Sequence, residues 1–253
     1  MYKLLCILIL LLVILYIIKR SDSEITTHII NYISNIFSVI TCSRNENIIT
    51  CNGISFPMND ISGVTNSLKL KIAYEPWFHT ICEKYSDNTK LALDIGAHIG
   101  YHTIELSKYF KFVYAFEPNP DLFFYLHKNT KNIKNIKSYQ LGVSNENNTL
   151  CFEKHNISTR SNIDYNKNCK VPIKTIAIDT MNIKDKIGII KIDIEGGEIA
   201  ALSGMSNIIR RDKPIIVFED HTGDTIKYIK STFDFYKDTI YMIEQSNYII
   251  LSE

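Results

Sequence analysis

Apolar and polar positions fall into alternating blocks over most of the chain. Residues 91–95 form a short apolar run that ends in a glycine turn, the pattern of a buried strand, and 101–109 then read as a helix. Residues 112–116 are the next strand, ending at Glu117. Pro118-Asn119-Pro120 turns the chain into a helix over 121–128, with Pro120 at an early helical position where its missing N–H does no harm. Residues 136–143 predict a third strand. The stretch 145–170 is polar and irregular, and 149–152 and 170–178 can form a hairpin around it. Residues 187–194 are a nearly continuous apolar strand, interrupted by Lys191 and Asp193. A helix over 198–210, a strand over 214–218 ending at Glu219, and a helix over 225–236 follow. Residues 239–243 and 248–251 close the chain as an antiparallel hairpin. Strands alternating with helices predict an α/β fold: a mostly parallel sheet covered on both faces, with the hairpin as an antiparallel edge.

The N-terminus departs from this pattern. Residues 4–18 are uninterrupted apolar positions flanked by Lys3, Lys19 and Arg20. As a helix the run would be about 23 Å long, short for a hydrocarbon core of about 30 Å. Tyr2, Tyr16 and the stems of the flanking basic residues make up part of the difference. The expectation is a single-pass membrane anchor over 1–20, with a cleaved signal peptide as the competing reading. Positive charge flanks both ends, so the side of the membrane is open. Residues 25–40 carry isoleucines at helical spacing, an amphipathic stem, so 21–53 read as stem and linker and 54–253 as the folded domain. That is room for one α/β domain in a chain of 253 residues.

Charge adds little: 28 Lys and Arg face 27 Asp and Glu, and no basic stripe argues for nucleic acid. No cysteine pair has CxxC spacing, so structural zinc is not expected. Cys42–Cys51 and Cys151–Cys169 would each close a loop in an extracytoplasmic domain, while a reducing compartment would leave free thiols. Asn147 and Asn156 head glycosylation sequons, which matter only in a secretory lumen.

Candidate chemistry gathers at the strand ends. Asp94, Glu117, Asp193, Glu195 and Glu219 all stand where parallel sheets bind ligands. Gly96 and Gly100 bracket the first turn, where glycine permits close backbone approach. The spacing is D-x-G-x-x-x-G and not the dinucleotide G-x-G-x-x-G. An acid at Asp94 suits a cofactor with a cationic amino-acid tail and is awkward for a diphosphate. Glu117 is placed to accept ribose hydroxyls, and Val143, between Gly142 and Ser144, to flank an adenine ring.

Three blocks then carry a family resemblance: Leu93-Asp94-Ile95-Gly96-Ala97-His98-Ile99-Gly100-Tyr101, Val113-Tyr114-Ala115-Phe116-Glu117-Pro118-Asn119-Pro120, and Ile190-Lys191-Ile192-Asp193-Ile194-Glu195-Gly196-Gly197-Glu198. Tyr74-Glu75-Pro76 matches the lead-in. The sequence resembles the FkbM-type methyltransferases over roughly residues 70–220. The resemblance implies a Rossmann-like class I methyltransferase, a three-layer sandwich, with S-adenosyl-L-methionine as donor and a hydroxyl of a sugar or small molecule as acceptor. The family usually has Asn where this chain has His98.

Methyl transfer needs the acceptor oxygen aligned with the sulfonium methyl and benefits from a base. Asp193 is the first candidate for base or orienting group. Lys191 would pair with it or polarise the substrate, and Glu195 shares its strand face. His221, beside Glu219 and Asp220, is a second candidate base. The spacing of Asp193, Glu219 and His221 does not demand a metal. The alternatives are a nicotinamide-dependent oxidoreductase, disfavoured by Asp94, and a non-catalytic binding protein that kept the fold.

Overall fold

In a computed structural model, the structure describes residues 42–70, 72–153, 162–164, 171–194, 196–244 and 246–251. The chain begins with a meander of β1 (Ser43–Asn45), β2 (Ile48–Cys51) and β3 (Ile54–Pro57). Helices α1 (Gly63–Leu70) and α2 (Pro76–Lys84) lead into β4 (Asp87–Ile95), α3 (Tyr101–Leu106), β5 (Phe110–Phe116), α4 (Pro120–Thr130) and β6 (Ile136–Tyr139). Next come β7 (Gly142–Val143), β8 (Thr149–Glu153), β9 (Asn162–Asp164) and β10 (Val171–Ile176), which form a separate four-stranded sheet. The chain ends with β11 (Ile187–Ile192), α5 (Glu198–Ser203), α6 (Ser206–Asp212), β12 (Ile215–Glu219), α7 (Asp224–Thr232), β13 (Ile240–Glu244) and β14 (Asn247–Ile250).

The main sheet has seven strands in the order β13-β14-β12-β11-β4-β5-β6. From β12 to β6 every neighbouring pair is parallel, and β14 runs antiparallel to both β12 and β13. This is the Rossmann-like arrangement with an antiparallel terminal hairpin that the apolar pattern predicts. Alternation along each strand divides the core in two. Leu91, Leu93, Ile95, Ile190, Ile192 and Phe218 pack on one face with α5 and α6 residues such as Ala201 and Ile209. Ala92, Val113, Ile189 and Val217 pack on the other, against Phe78 of α2 and Leu106 of α3. Asp94 and Lys191 belong by parity to this second face, which an all-apolar pattern would fill with hydrocarbon.

Two predicted elements divide. Residues 136–143 split into β6 and β7, which belong to different sheets. The helix expected over 198–210 divides into α5 and α6 at Gly204, a position that only glycine fits because a side chain there would run into the Ser144 carbonyl. Asp179 restarts it: its carboxylate accepts the Asn207 and Ile208 N–H groups at 2.9 and 3.0 Å, as a capping acid does. Asn119 caps α4 by accepting the Asp121 N–H at 3.0 Å.

The membrane localisation expected from residues 4–18 is corrected. Among the described residues no helix is long and apolar enough to cross a membrane. The apolar run itself and the stem over 25–40 lie outside the described residues. Cys42 and Cys51 form a disulfide, and Cys151 is also disulfide-bonded. Cys82 is a buried free thiol, with burial pushing its pKa up to about 12. The Asn147 side chain is engaged, its oxygen accepting the Ala177 N–H at 2.8 Å, and Asn156 lies outside the described residues.

Candidate active site

The carboxyl ends of β4, β5, β11 and β12 bring the strand-end acids to one edge of the sheet. Asp94 is 1% exposed. Its Oδ2 accepts the Thr103 hydroxyl at 2.5 Å, whereas Oδ1 has no hydrogen-bond partner among the described residues. Burial pushes its pKa up, since a lone buried carboxylate is costly to ionise. The turn that follows is tight. Gly96 has φ +84°, and a side chain there would collide with the Asp193 carbonyl. Gly100 has φ +90°, and a Cβ would stand 2.9 Å from Leu126 Cδ1. His98 lies between them at φ +50°. Asn and His tolerate this left-handed region better than most residues, which accounts for the exchange of one for the other at this position.

Glu117 closes β5. Its two oxygens accept the backbone N–H groups of His98 and Asn119, each at 2.9 Å. Burial is the larger influence and raises its pKa to about 7, against the pull of those two hydrogen bonds. Val143 is buried in the same core cluster as Phe116 and Ile178.

On the other side of β4, Lys191 is 4% exposed and donates to Asp193 Oδ2 at 2.7 Å, while the Asp193 side chain remains 39% exposed. Burial opposes both charges, yet each group supports the other: Lys191 is held above the usual lysine range and Asp193 below the usual carboxylate range. Strand β11 ends at Ile192, but the Asp193 N–H still donates to the Ile95 carbonyl of β4 at 2.9 Å, which fixes the backbone while the side chain faces the sheet edge. Glu195 lies outside the described residues. Glu198 Oε1 accepts the Gly196 N–H at 3.1 Å, holding the turn before α5.

His221 is more exposed. Its Nε2 lies 3.2 Å from Glu219 Oε1 and its Nδ1 lies 2.9 Å from the Ser246 hydroxyl. Behind it Asp220 accepts the N–H groups of Thr222, Gly223 and Ile226 and fixes the entry to α7. Among the described residues no group of three or more His, Cys, Asp or Glu is arranged to hold a metal.

These positions gain meaning from one match. The family model for the Methyltransferase FkbM domain covers residues 94–249, from Asp94 to the last strand. The chain belongs to the FkbM methyltransferase family. A curated relative, hexuronic acid methyltransferase AglP of Haloferax volcanii, is 31% identical over 134 residues, which are 51% of this chain and 55% of the relative. The chain thus spans about half the length of the curated relative it matches. Among solved structures, a methyltransferase FkbM from Methylobacillus flagellatus KT has a TM-score of 0.49 at 15% identity, covering 74% of this chain and 52% of that one. SMU.1697c from Streptococcus mutans, in complex with SAH, has a TM-score of 0.42 at 14% identity, covering 69% and 94%. The family match sets aside the nicotinamide-dependent alternative.

Three residues around this FkbM methyltransferase domain escape motif reading: Thr103, His102 and Asp60. Thr103 meets Asp94 from the first turn of α3. Glu75 and His102 pair at 2.8 Å between Oε2 and Nε2. Asp60, ahead of α1, lies 4.0 Å from His98 Nε2. Only Thr103 had a local signal, one helical turn beyond Gly100. His102 lies within the matched region and pairs with Glu75, which lies outside it, and Asp60 also arrives from outside that region. His79, on α2, is held at the surface by Glu105 at 2.5 Å, and Trp77 packs against the core.

Proposed function

We propose that this protein is an S-adenosyl-L-methionine-dependent O-methyltransferase acting on a hydroxyl of a glycan or small molecule. The observation that carries the reading is Asp94: a buried carboxylate with one oxygen partnered by Thr103 and the other without a partner among the described residues. Such an orphaned acceptor fits a ligand amino group, because an unmet buried polar atom is costly.

The remaining residues fit the same donor. Asp94 would take its amino group, with Gly96 and Gly100 allowing close backbone approach and His98 shaping the turn. Each Glu117 oxygen accepts one N–H and keeps a lone pair for a ribose hydroxyl. Val143 would contribute from the core side to the adenine wall. When bound, S-adenosyl-L-methionine supplies a methyl group activated by its sulfonium.

At the acceptor, Asp193 and His221 divide the work. Lys191 holds Asp193 below the ordinary carboxylate range, which makes Asp193 a weak base and a good hydrogen-bond acceptor for orienting a hydroxyl. His221, oriented by Glu219 and the Ser246 hydroxyl, takes the hydroxyl proton as the oxygen attacks. Glu195 would complete the acid cluster after β11. The name of the curated relative makes a uronic acid the first acceptor to try.

Calorimetry with S-adenosylhomocysteine tests the donor, with Glu117→Ala as control. Micromolar binding that the variant loses supports the reading, and a folded wild type that does not bind overturns it. Labelled methyl transfer to glucuronic acid, neutral sugars and small alcohols then identifies the acceptor class.

A further inference from the structure

Lys191 sits in the middle of a covered parallel sheet, where apolar side chains belong. Three carboxylates meet it there. Asp193 Oδ2 accepts a hydrogen bond from its ammonium at 2.7 Å. Asp94 is its register neighbour on β4. Glu75, at the start of α2, adds the next largest charge after Asp193. The Phe78 ring lies 6.0 Å from the ammonium and also receives His102 edge-on at 4.5 Å.

Glu75 is held in an unusual way. Its φ is +47°, and Pro76 follows it. A side chain at positive φ and a residue before proline are each disfavoured in this conformation. Backbone strain of this kind persists only where the surroundings over-determine it. Here the determinant is the ion pair of Glu75 with His102, which keeps the Glu75 carboxylate beside Lys191.

We propose that Lys191 is a positioning residue of the donor socket and not an acid or electrophile at the acceptor. Its ammonium ties the Asp94 and Asp193 strand ends together, and Glu75 closes the arrangement from α2. The charge of Asp193 also raises the Asp94 pKa, so the two carboxylates oppose each other's ionisation. Lys191 opposes the burial that raises the Asp94 pKa and favours the charged form of both aspartates, with Asp94 Oδ1 facing a cationic amino group when the donor binds. Three carboxylates around one ammonium leave an excess of negative charge that such a group completes. Tyr74, Cys82 and His98 also face the Lys191 charge, and His102 faces both aspartates.

This inference rests on the donor reading above, and its test separates the two. Lys191→Met and Lys191→Arg are made in the full chain. Without ligand, the Asp193 carboxyl is titrated by carbon NMR. The midpoint should rise by about one pH unit or more in Lys191→Met and return toward wild type in Lys191→Arg. An unchanged midpoint in Lys191→Met overturns the proposal, whether or not any donor binds. Calorimetry with S-adenosylhomocysteine in phosphate and in Tris forms the second arm. Lys191→Met should bind at least about tenfold more weakly and release more protons than wild type, because the loss of Lys191 leaves Asp94 more protonated before the donor binds. Equal affinity and an equal proton count would also overturn it. Absence of wild-type binding fails the donor reading alone, leaving the titration to decide the role of Lys191. Should Lys191→Met not fold, Glu75→Gln serves instead. It should weaken S-adenosylhomocysteine at least about threefold and shift the Asp193 midpoint, and no change in either counts against the proposal.

Discussion

The His98 backbone N–H reaches across to Glu117 Oε2 at 2.9 Å, joining the glycine turn after β4 to the end of β5. The bond depends on His98 holding a left-handed conformation, and it engages a carboxylate that burial raises to about 7.

That shift makes stability depend on pH. The folded-state pKa of Glu117 lies above its ordinary value of 4.5, so its contribution is fully present below about pH 4.5 and is lost as pH rises through about 7. The expected loss is on the order of 3 kcal/mol. Glu117→Gln should flatten this part of the profile, although it sacrifices one N–H acceptor and lowers stability at pH 5. Urea unfolding between pH 4.5 and 8 measures both, and an unaltered slope would refute the assignment.

Position 98 should accept Asn and reject β-branched residues. His98→Asn is expected to stay within about 1 kcal/mol of wild type, whereas His98→Val should lose about 2 kcal/mol, because branching at Cβ is incompatible with positive φ. Equal melting curves for the two variants would contradict the left-handed turn.

Gly96 has no such latitude. Gly96→Ala drives a Cβ into the Asp193 carbonyl at φ +84°. It should cost about 3 kcal/mol or more and abolish S-adenosylhomocysteine binding in whatever protein remains folded. Retained binding with a wild-type melting temperature would show that the two strand ends are not packed together.

The disulfide supports the meander from outside the matched region. Cys51 is buried and clusters with Phe56, Ile99, Leu122 and Tyr125. Releasing a loop of this size with Cys42→Ser and Cys51→Ala together should cost about 2–3 kcal/mol. The check is denaturant unfolding compared with wild type under non-reducing conditions, where a difference below about 0.5 kcal/mol would deny the link a stabilising role.

His221→Ala should lower kcat for the acceptor that turns over by about 10²-fold or more while leaving S-adenosylhomocysteine affinity within about threefold. A variant that keeps kcat would move the base elsewhere.

Local pattern was enough for the fold and for the acids that stand at the strand ends. Period-two and helical spacing predicted the parallel sheet, its covering helices and the terminal hairpin, because burying one face of each element demands that periodicity. Asp94, Gly96, Gly100 and Glu117 were legible because each stands at a strand end or in a turn, where few residue types serve. Single residues also separated this turn from a dinucleotide site.

What escaped the sequence depends on contacts between distant segments. Nothing near Glu75 announces His102, and nothing near Asp60 announces His98; packing of the chain before β4 onto the sheet brings them together. The need for glycine at Gly204 likewise follows from the Ser144 backbone, far away in sequence. Lys191 shows the division most clearly. Its position on an apolar strand marked it as unusual, but its partners were decided by which strands lie side by side. Charge on a buried strand takes its meaning from the neighbours that offset it, and only the tertiary structure supplies those.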